Sequence, residues 1–314
     1  MTIAVTGSMA YDYIMSFPGR FVDHILPDQI EILSVSFLVD SMRRERGGCG
    51  GNIAYNLALL GQRPLLIATV GQDAPEYVAW LRDQGVDTSG VLQLSDEFTA
   101  SFFVSTDRDN NQIASFYTGA MAKASRLSFK DNNPEAIKFA IISPNDPVAM
   151  VKYARECREL GIPYIYDPSQ QIPRLSPSEL VEGIEGAKAL IVNGYEFGMI
   201  KKQTGLSDEE IQRLTEVVAI TRGERGSVVR TCDGTWEIPI ASPRRLADPT
   251  GVGDAYRAGF ITGMCCALPW DVVGRIGSLA AAYVLEEHGT QRHRYSLDSF
   301  CQRYRETFGG VLDL

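Results

Sequence analysis

No apolar run in this sequence approaches the roughly 18–20 residues that a membrane-spanning helix needs. Positive charge is also in short supply: 30 Lys and Arg stand against 39 Asp and Glu, a formal charge of −9. An acidic chain lacks the basic face that nucleic acid or an anionic membrane selects, so neither is an expected partner. Histidine is scarce, and His24, His288 and His293 show no metal-ligand spacing. The six cysteines (Cys49, Cys157, Cys232, Cys265, Cys266, Cys301) contain no Cys-x-x-Cys pair. In 314 residues of 45% hydrophobic composition, such scattered thiols read as reduced and mostly buried, in a cytoplasmic protein. The opening Met1-Thr2-Ile3-Ala4-Val5-Thr6-Gly7 lacks the basic and long apolar regions of a signal peptide and reads as a buried strand. There is no internal repeat, low-complexity tract or linker, and no Gly-x-x-x-x-Gly-Lys-[Ser/Thr] phosphate loop.

What is present is a rhythm. Short apolar runs at 3–6, 65–70, 139–142, 164–166, 189–192 and 217–220 alternate with helix-like segments at 51–60, 75–84, 147–160 and 196–203. That alternation predicts an α/β fold, a mostly parallel sheet with helices on both faces and ligands beyond the strands' carboxyl ends. Two segments break it. Residues 12–46 hold Pro18, Pro27 and a strand-like run at 30–39. Residues 98–118 hold two alternating runs, 99–105 and 112–117, joined by the turn-forming Asp107-Arg108-Asp109-Asn110-Asn111. These are expected to form a small β lid, 12–46 plus 98–118, over a large α/β domain made of 1–11, 47–97 and 119–314. A lid would exclude water from the site.

The segment Asp248-Pro249-Thr250-Gly251-Val252-Gly253-Asp254 runs into a helical pattern. A glycine turn opening a helix aims free N–H groups at one spot, with the positive end of the helix dipole behind them. Gly251, Val252 and Gly253 would form an anion hole for a transferring phosphoryl group, and Asp254 could take a proton from an attacking hydroxyl. Read alone, the short motif is closer to an aspartate in a helix cap than to a catalyst. The longer run Asp248-Pro-Thr-Gly-Val-Gly-Asp-Ala-Tyr-Arg-Ala-Gly-Phe260 resembles the C-terminal signature of the ribokinase-like (PfkB) family of sugar and nucleoside kinases. The family's N-terminal block has its counterpart in Gly47-Gly48-Cys49-Gly50-Gly51-Asn52, followed by Gly61 and Gly71.

That resemblance implies ATP as phosphoryl donor, Mg²⁺, and in some members a monovalent cation such as K⁺. It implies that Asp12 grips two neighbouring sugar hydroxyls. Asn193 and Glu196 match an Asn-x-x-Glu element, with Glu196 acting on Mg²⁺ through water; the same pair also reads as a capping box. Thr221, Gly223, Gly226 and Ser227 match a turn lying along the nucleotide, together with Gly251. Several stretches, among them Gln112-Ile-Ala-Ser-Phe-Tyr117 and Asp167-Pro-Ser-Gln-Gln171, are similar to the mycobacterial type of adenosine kinase. That likeness places Ser8, Asp12, Ser36, Gly48, Asn52, Phe102, Phe116 and Arg174 at the acceptor pocket, and it admits a homodimer through the lid. Phe102 and Phe116 could close over an adenine ring, or pack the lid's own core. Adenosine is the expected acceptor. A free or phosphorylated sugar is the alternative, although neither hairpin strand offers Lys or Arg to a phosphate. A non-catalytic binding protein on the same fold ranks last, since Asp254 and its glycines are intact. Arg257 either solvates its helix or neutralises phosphate charge, and Arg43, Arg44 and Arg46 read as a solvated face or a hinge.

Overall fold

Along the first strand the side chains alternate between two apolar layers, Ile3 and Val5 on one side and Ala4 on the other. A strand buried on both faces belongs inside a helix-covered sheet. That is its place in the computed structural model, which describes residues 2–314. The chain opens with β1 (Thr2–Thr6), β2 (Ala10–Ser16) and β3 (Ser41–Gly47), then α1 (Cys49–Leu59), β4 (Arg63–Val70), α2 (Pro75–Asp83) and β5 (Val91–Gln93). A hairpin follows, β6 (Ala100–Thr106) and β7 (Gln112–Tyr117). After it come β8 (Ile137–Ile142), α3 (Pro147–Leu160), β9 (Tyr164–Tyr166), α4 (Pro177–Ile184), β10 (Ala189–Asn193), α5 (Gly194–Thr204) and α6 (Asp208–Leu214). The chain closes with β11 (Val217–Thr221), β12 (Ser227–Thr231), β13 (Gly234–Ile238), α7 (Val252–Cys265), α8 (Trp270–Leu285) and α9 (Leu297–Phe308).

Nine strands form the large sheet in the order β13-β12-β11-β10-β9-β8-β1-β4-β5, parallel except for the two antiparallel pairs at the β12 and β13 edge. Apolar side chains of α1, α2, α7, α8 and α9 cover one face, and those of α3, α4, α5 and α6 cover the other. Helices α7 and α8 approach closely because Gly259 lacks a side chain: a Cβ there would lie 2.7 Å from the Ile276 carbonyl oxygen. From β1 the chain winds outward through β4 and β5, then returns to β8 and winds the other way. The strand order therefore reverses between β1 and β8, where loops diverge and leave a crevice at the carboxyl ends. The loops after these two strands are bonded together. The Ser8 N–H donates to the Pro144 carbonyl at 3.0 Å and the Ser143 hydroxyl to Thr6 O at 2.7 Å.

The second sheet has four strands in the order β3-β2-β6-β7. The hairpin forms as its sequence predicts, with Phe102 opposite Phe116. The strand-like reading of 30–39 is corrected. Residues Pro27–Ile32 form a 3-10 helix, and 33–40 are irregular. Ile30, Ile32 and Leu38 are exposed, while Phe37 packs edge-on against Phe17 and Phe21. The run pairs with no strand, and β3 remains the edge of the small sheet. The thiol expectation also needs amending. All six cysteines are free, but only Cys157 is fully buried, and Cys232 and Cys266 are exposed. His293 is buried and bonded to Asn56, and burial pulls its pKa down to about 4, as fits a core residue.

Candidate active site

Three loops meet at the reversal point, those after β1, β8 and β9, and the N-termini of α1 and α7 converge over them. Gly48 begins α1 with a positive φ of 89°, and a side chain there would strike the Ser8 carbonyl oxygen at 2.6 Å. Ser8 is buried, and its hydroxyl accepts from the Cys49 N–H at 3.1 Å, so it secures the helix start. Gly251 begins α7 at φ 80°, in the left-handed region, and places Val252, Gly253 and Asp254 in the first turn. Their N–H groups have no partner within the helix, and an anion at this terminus would also meet the helix dipole.

Asp254 is 9% exposed, and Asn52 donates its amide Nδ2 to the carboxylate at 2.8 Å. Burial raises the Asp254 pKa, against the lowering effects of the Arg257 charge, Asn52 and the Cys49 thiol. Asn52 is itself oriented by Gln291, which donates to its Oδ1 at 3.0 Å. The Tyr77 hydroxyl beside Gln291 donates to the Gly47 carbonyl at 2.9 Å. The resemblance assigned Asn52 to the acceptor pocket. Its contact with Asp254, and the supports from Gln291 and Tyr77, carry no signal in the local sequence.

Asp12 extends from β2 over the same cleft, and a Cβ on Gly47 would lie 2.5 Å from its Oδ2. Among the described residues no donor is bonded to its carboxylate. Burial, then the charges of Asp248, Glu45 and Asp254, push its pKa up to about 6. Phe102 faces Asp12 across the β2–β6 pair, and Phe116 faces Phe102 across β6–β7. Directly paired residues share a sheet face, so the three form one row. Phe102 is half-buried and Phe116 is 50% exposed.

At the other end of the cleft, Asn193 and Glu196 form a reciprocal capping box at the start of α5. Glu196 also accepts from the Ser169 hydroxyl at 3.0 Å, which ties it to the loop after β9. Thr221, Gly223, Gly226 and Ser227 lie in the turn between β11 and β12. The Ser227 hydroxyl is buried against Tyr256 of α7 at 2.7 Å, so this turn is fixed to the helix that carries Asp254. Two further expected pocket residues are exposed. Ser36 is exposed on the irregular segment, and Arg174 is exposed and bonds its neighbour Gln171 at 3.3 Å. Among the described residues there is no cluster of three or more His, Cys, Asp or Glu fit to hold a metal, and no helix long and apolar enough to cross a membrane.

A helix-start anion hole, an adjacent buried carboxylate and a second carboxylate opposite define a phosphotransferase acting on a hydroxyl group. Comparison with known proteins agrees. Residues 5–295 match the pfkB family of carbohydrate kinases. A nucleoside kinase of Methanothermobacter thermautotrophicus is 30% identical over 313 residues, 98% of this chain and 96% of that protein. The structure of a Burkholderia thailandensis nucleoside kinase in complex with inosine superimposes with a TM-score of 0.89 at 36% identity, covering 99% of this chain and 100% of that one. The Methanocaldococcus jannaschii nucleoside kinase structure gives 0.86 at 28% identity, covering 97% and 98%. The chain belongs to the pfkB family, with the ribokinase-like fold, and is an ATP-dependent kinase acting on a hydroxyl group.

The crowded carboxylates generate a stability prediction. Burial and neighbouring carboxylates push the Asp12 pKa up to about 6 from an ordinary value of 3.8, so the folded state binds more protons between those values. The destabilising contribution is absent below the unfolded pKa, grows as pH rises through this window and is complete above it. Asp12→Asn should therefore stabilise the ligand-free protein at pH 7 by roughly 3 kcal/mol and change stability at pH 4 by no more than about 0.5 kcal/mol. Urea melts at the two pH values measure this. An equal effect at both would show that Asp12 carries no such strain.

Proposed function

We propose that the chain transfers the γ-phosphoryl group of ATP to the 5′-hydroxyl of adenosine, giving AMP. The observation that carries this reading is the row Asp12–Phe102–Phe116 on one sheet face. A carboxylate without protein donors suits the two ribose hydroxyls, and aromatic rings beside it suit a stacked base. A simple sugar would leave the rings without a partner. The small sheet then acts as a lid over the acceptor. Asp254 takes the 5′-hydroxyl proton while Asn52 fixes its orientation, and the N–H groups at 251–253 meet the charge of the transferring group. ATP lies along Asn193, Glu196 and the 221–227 turn. Mg²⁺ fits this donor set as an ion held chiefly by the ATP phosphates, with Glu196 acting through water, since Mg²⁺ retains most of its hydration. Positioning and electrostatics supply the rate, because phosphoryl transfer needs little covalent help.

Inosine is the second reading, favoured by the Burkholderia enzyme solved with that nucleoside. Adenosine and inosine differ at position 6 of the purine, so competition between them in one assay decides the preference. The opposite face of the small sheet exposes Met42, Phe103, Ile113 and Tyr117. An apolar face of this kind supports a homodimer through the lid.

Three outcomes test the reading. Asp254→Asn should lower kcat by at least about 10³-fold while calorimetry finds nucleoside affinity little changed. Wild-type turnover in that variant would remove Asp254 as the base. Phe116→Ala should raise the KM for adenosine about 10-fold through lost stacking. An unchanged KM would place the base elsewhere. In sedimentation the wild type should run as a dimer and Phe103→Glu as a monomer; a monomeric wild type would end the lid-dimer reading.

A further inference from the structure

One buried cation in this site has no part in the mechanism so far. Arg257 lies one turn beyond Asp254 on α7 and is 7% exposed. Its Nη2 donates to Asp167 Oδ1 at 2.6 Å, and its Nε lies 2.5 Å from Asp167 Oδ2. Asp167 is fully buried at the end of β9, on the carboxyl side of the sheet. The third nitrogen, Nη1, points elsewhere: a Cβ placed on Gly253 would lie 2.7 Å from it. Gly253 belongs to the first turn of α7, so Nη1 lies against the side of the turn that carries the unpartnered N–H groups. The guanidinium feels the charges of Asp167, Asp254 and Glu196, which outweigh burial and hold it cationic.

Stability alone is a poor reason for this arrangement. A buried ion pair costs desolvation that its attraction often fails to recover, and apolar residues of similar volume commonly do as well. An Arg with one edge fixed by a carboxylate and its remaining amino group beside an anion hole has the geometry of a phosphoryl ligand.

We propose that Arg257 is a catalytic residue whose Nη1 donates to the transferring phosphoryl group beside the N–H groups of the α7 turn, with Asp167 as the positioning residue that holds its guanidinium. In the step, the acceptor oxygen forms a bond to the γ-phosphorus of ATP. The bond from that phosphorus to the bridging oxygen breaks, and its electron pair leaves with ADP. The hydroxyl proton passes to Asp254. Arg257 balances negative charge on the equatorial oxygens throughout and is neither protonated nor deprotonated. The glycine at 253 is what admits the guanidinium to this position.

This inference rests on the placement of the reaction at Asp254, so Asp254→Asn is the control that tests the placement separately. The experiment uses the full chain with Mg·ATP and the nucleoside that the wild type turns over fastest, and compares Arg257→Gln, Arg257→Lys and the double variant Asp167→Asn/Arg257→Gln. Arg257→Gln should lose about 10²–10³-fold in kcat, with nucleoside affinity changed by less than about threefold. Arg257→Lys should fall between, because it keeps the charge and loses the fork. The double variant, which leaves no unpaired buried charge, should stay as slow as Arg257→Gln, and added guanidinium ion should restore part of its rate. If Arg257 served only to neutralise Asp167, the double variant would recover to near wild-type kcat and guanidinium would have no effect. Either result overturns the proposal. Should Arg257→Gln fail to fold, the double variant and the rescue still decide the question. Loss of activity in Asp254→Asn together with full activity in the Arg257 variants would reject Arg257 and retain Asp254.

Discussion

The 2.8 Å hydrogen bond from Asn52 to Asp254 joins the beginnings of two helices whose partners lie 202 residues apart in sequence. Helix α1 follows the small sheet, and α7 follows the edge strands of the large one. The bond fixes these two N-termini against each other, so both positive dipole ends serve one crevice. It also determines what else must be small. Gly48 and Gly251 occupy the two helix starts in positive-φ conformations, and Gly50 packs against Gly7, with a Cβ at 50 meeting Gly7 C at 2.8 Å. A side chain at any of these points would separate the termini before it altered a chemical group. The glycines of the two sequence blocks are thus conditions of a single contact.

The same convergence concentrates negative charge. Asp12, Asp167, Glu196 and Asp254 all bear on the crevice, while the chain as a whole carries −9. Such a site is costly in the empty protein, as the elevated Asp12 and Asp254 pKa values record. The cost has a chemical counterpart. A donor-poor Asp12 is ready for hydroxyl hydrogens, and a buried Asp254 is a stronger base than an exposed aspartate. Local instability here is a condition of function, and Arg257 limits how far it goes.

The large sheet was legible because its strands are short apolar runs and the helices between them carry their own start signals. Pro147 at the first turn of α3 and the capping box at α5 are examples. The signature segments were legible because each is continuous in sequence. What was not legible depends on separation. The Asp167–Arg257 pair spans 90 residues and the Gln291–Asn52 contact 239, and neither partner's neighbours announce the other. The run at 30–39 misled for a different reason. Strand propensity depends on pairing and packing, and this run folds instead into a 3-10 helix and an irregular stretch that pairs with neither edge of the small sheet. The Asn193–Glu196 pair forms the capping box that its spacing offers, and Glu196 is also tied through Ser169 to the loop beside Arg257.

The small sheet places its functional row by register alone. Asp12 stands opposite Glu45, Phe102 opposite Asp12, and Phe116 opposite Phe102, so one cross-strand line carries the carboxylate and both rings. Side chains alternate faces with a period of two, so a slip of one residue in β6 would turn Phe103 toward the cleft and Phe102 outward. The turn between β6 and β7 guards against this. Asp107 accepts from the N–H groups of Phe21, Asp109 and Asn111, each at 2.9 Å, and so ties the hairpin tip to the segment after β2. Asp107 thereby helps to set which aromatic ring lies on the cleft side of the sheet. The small sheet is accordingly a register device: pairing geometry, as much as residue identity, decides which side chains face the cleft.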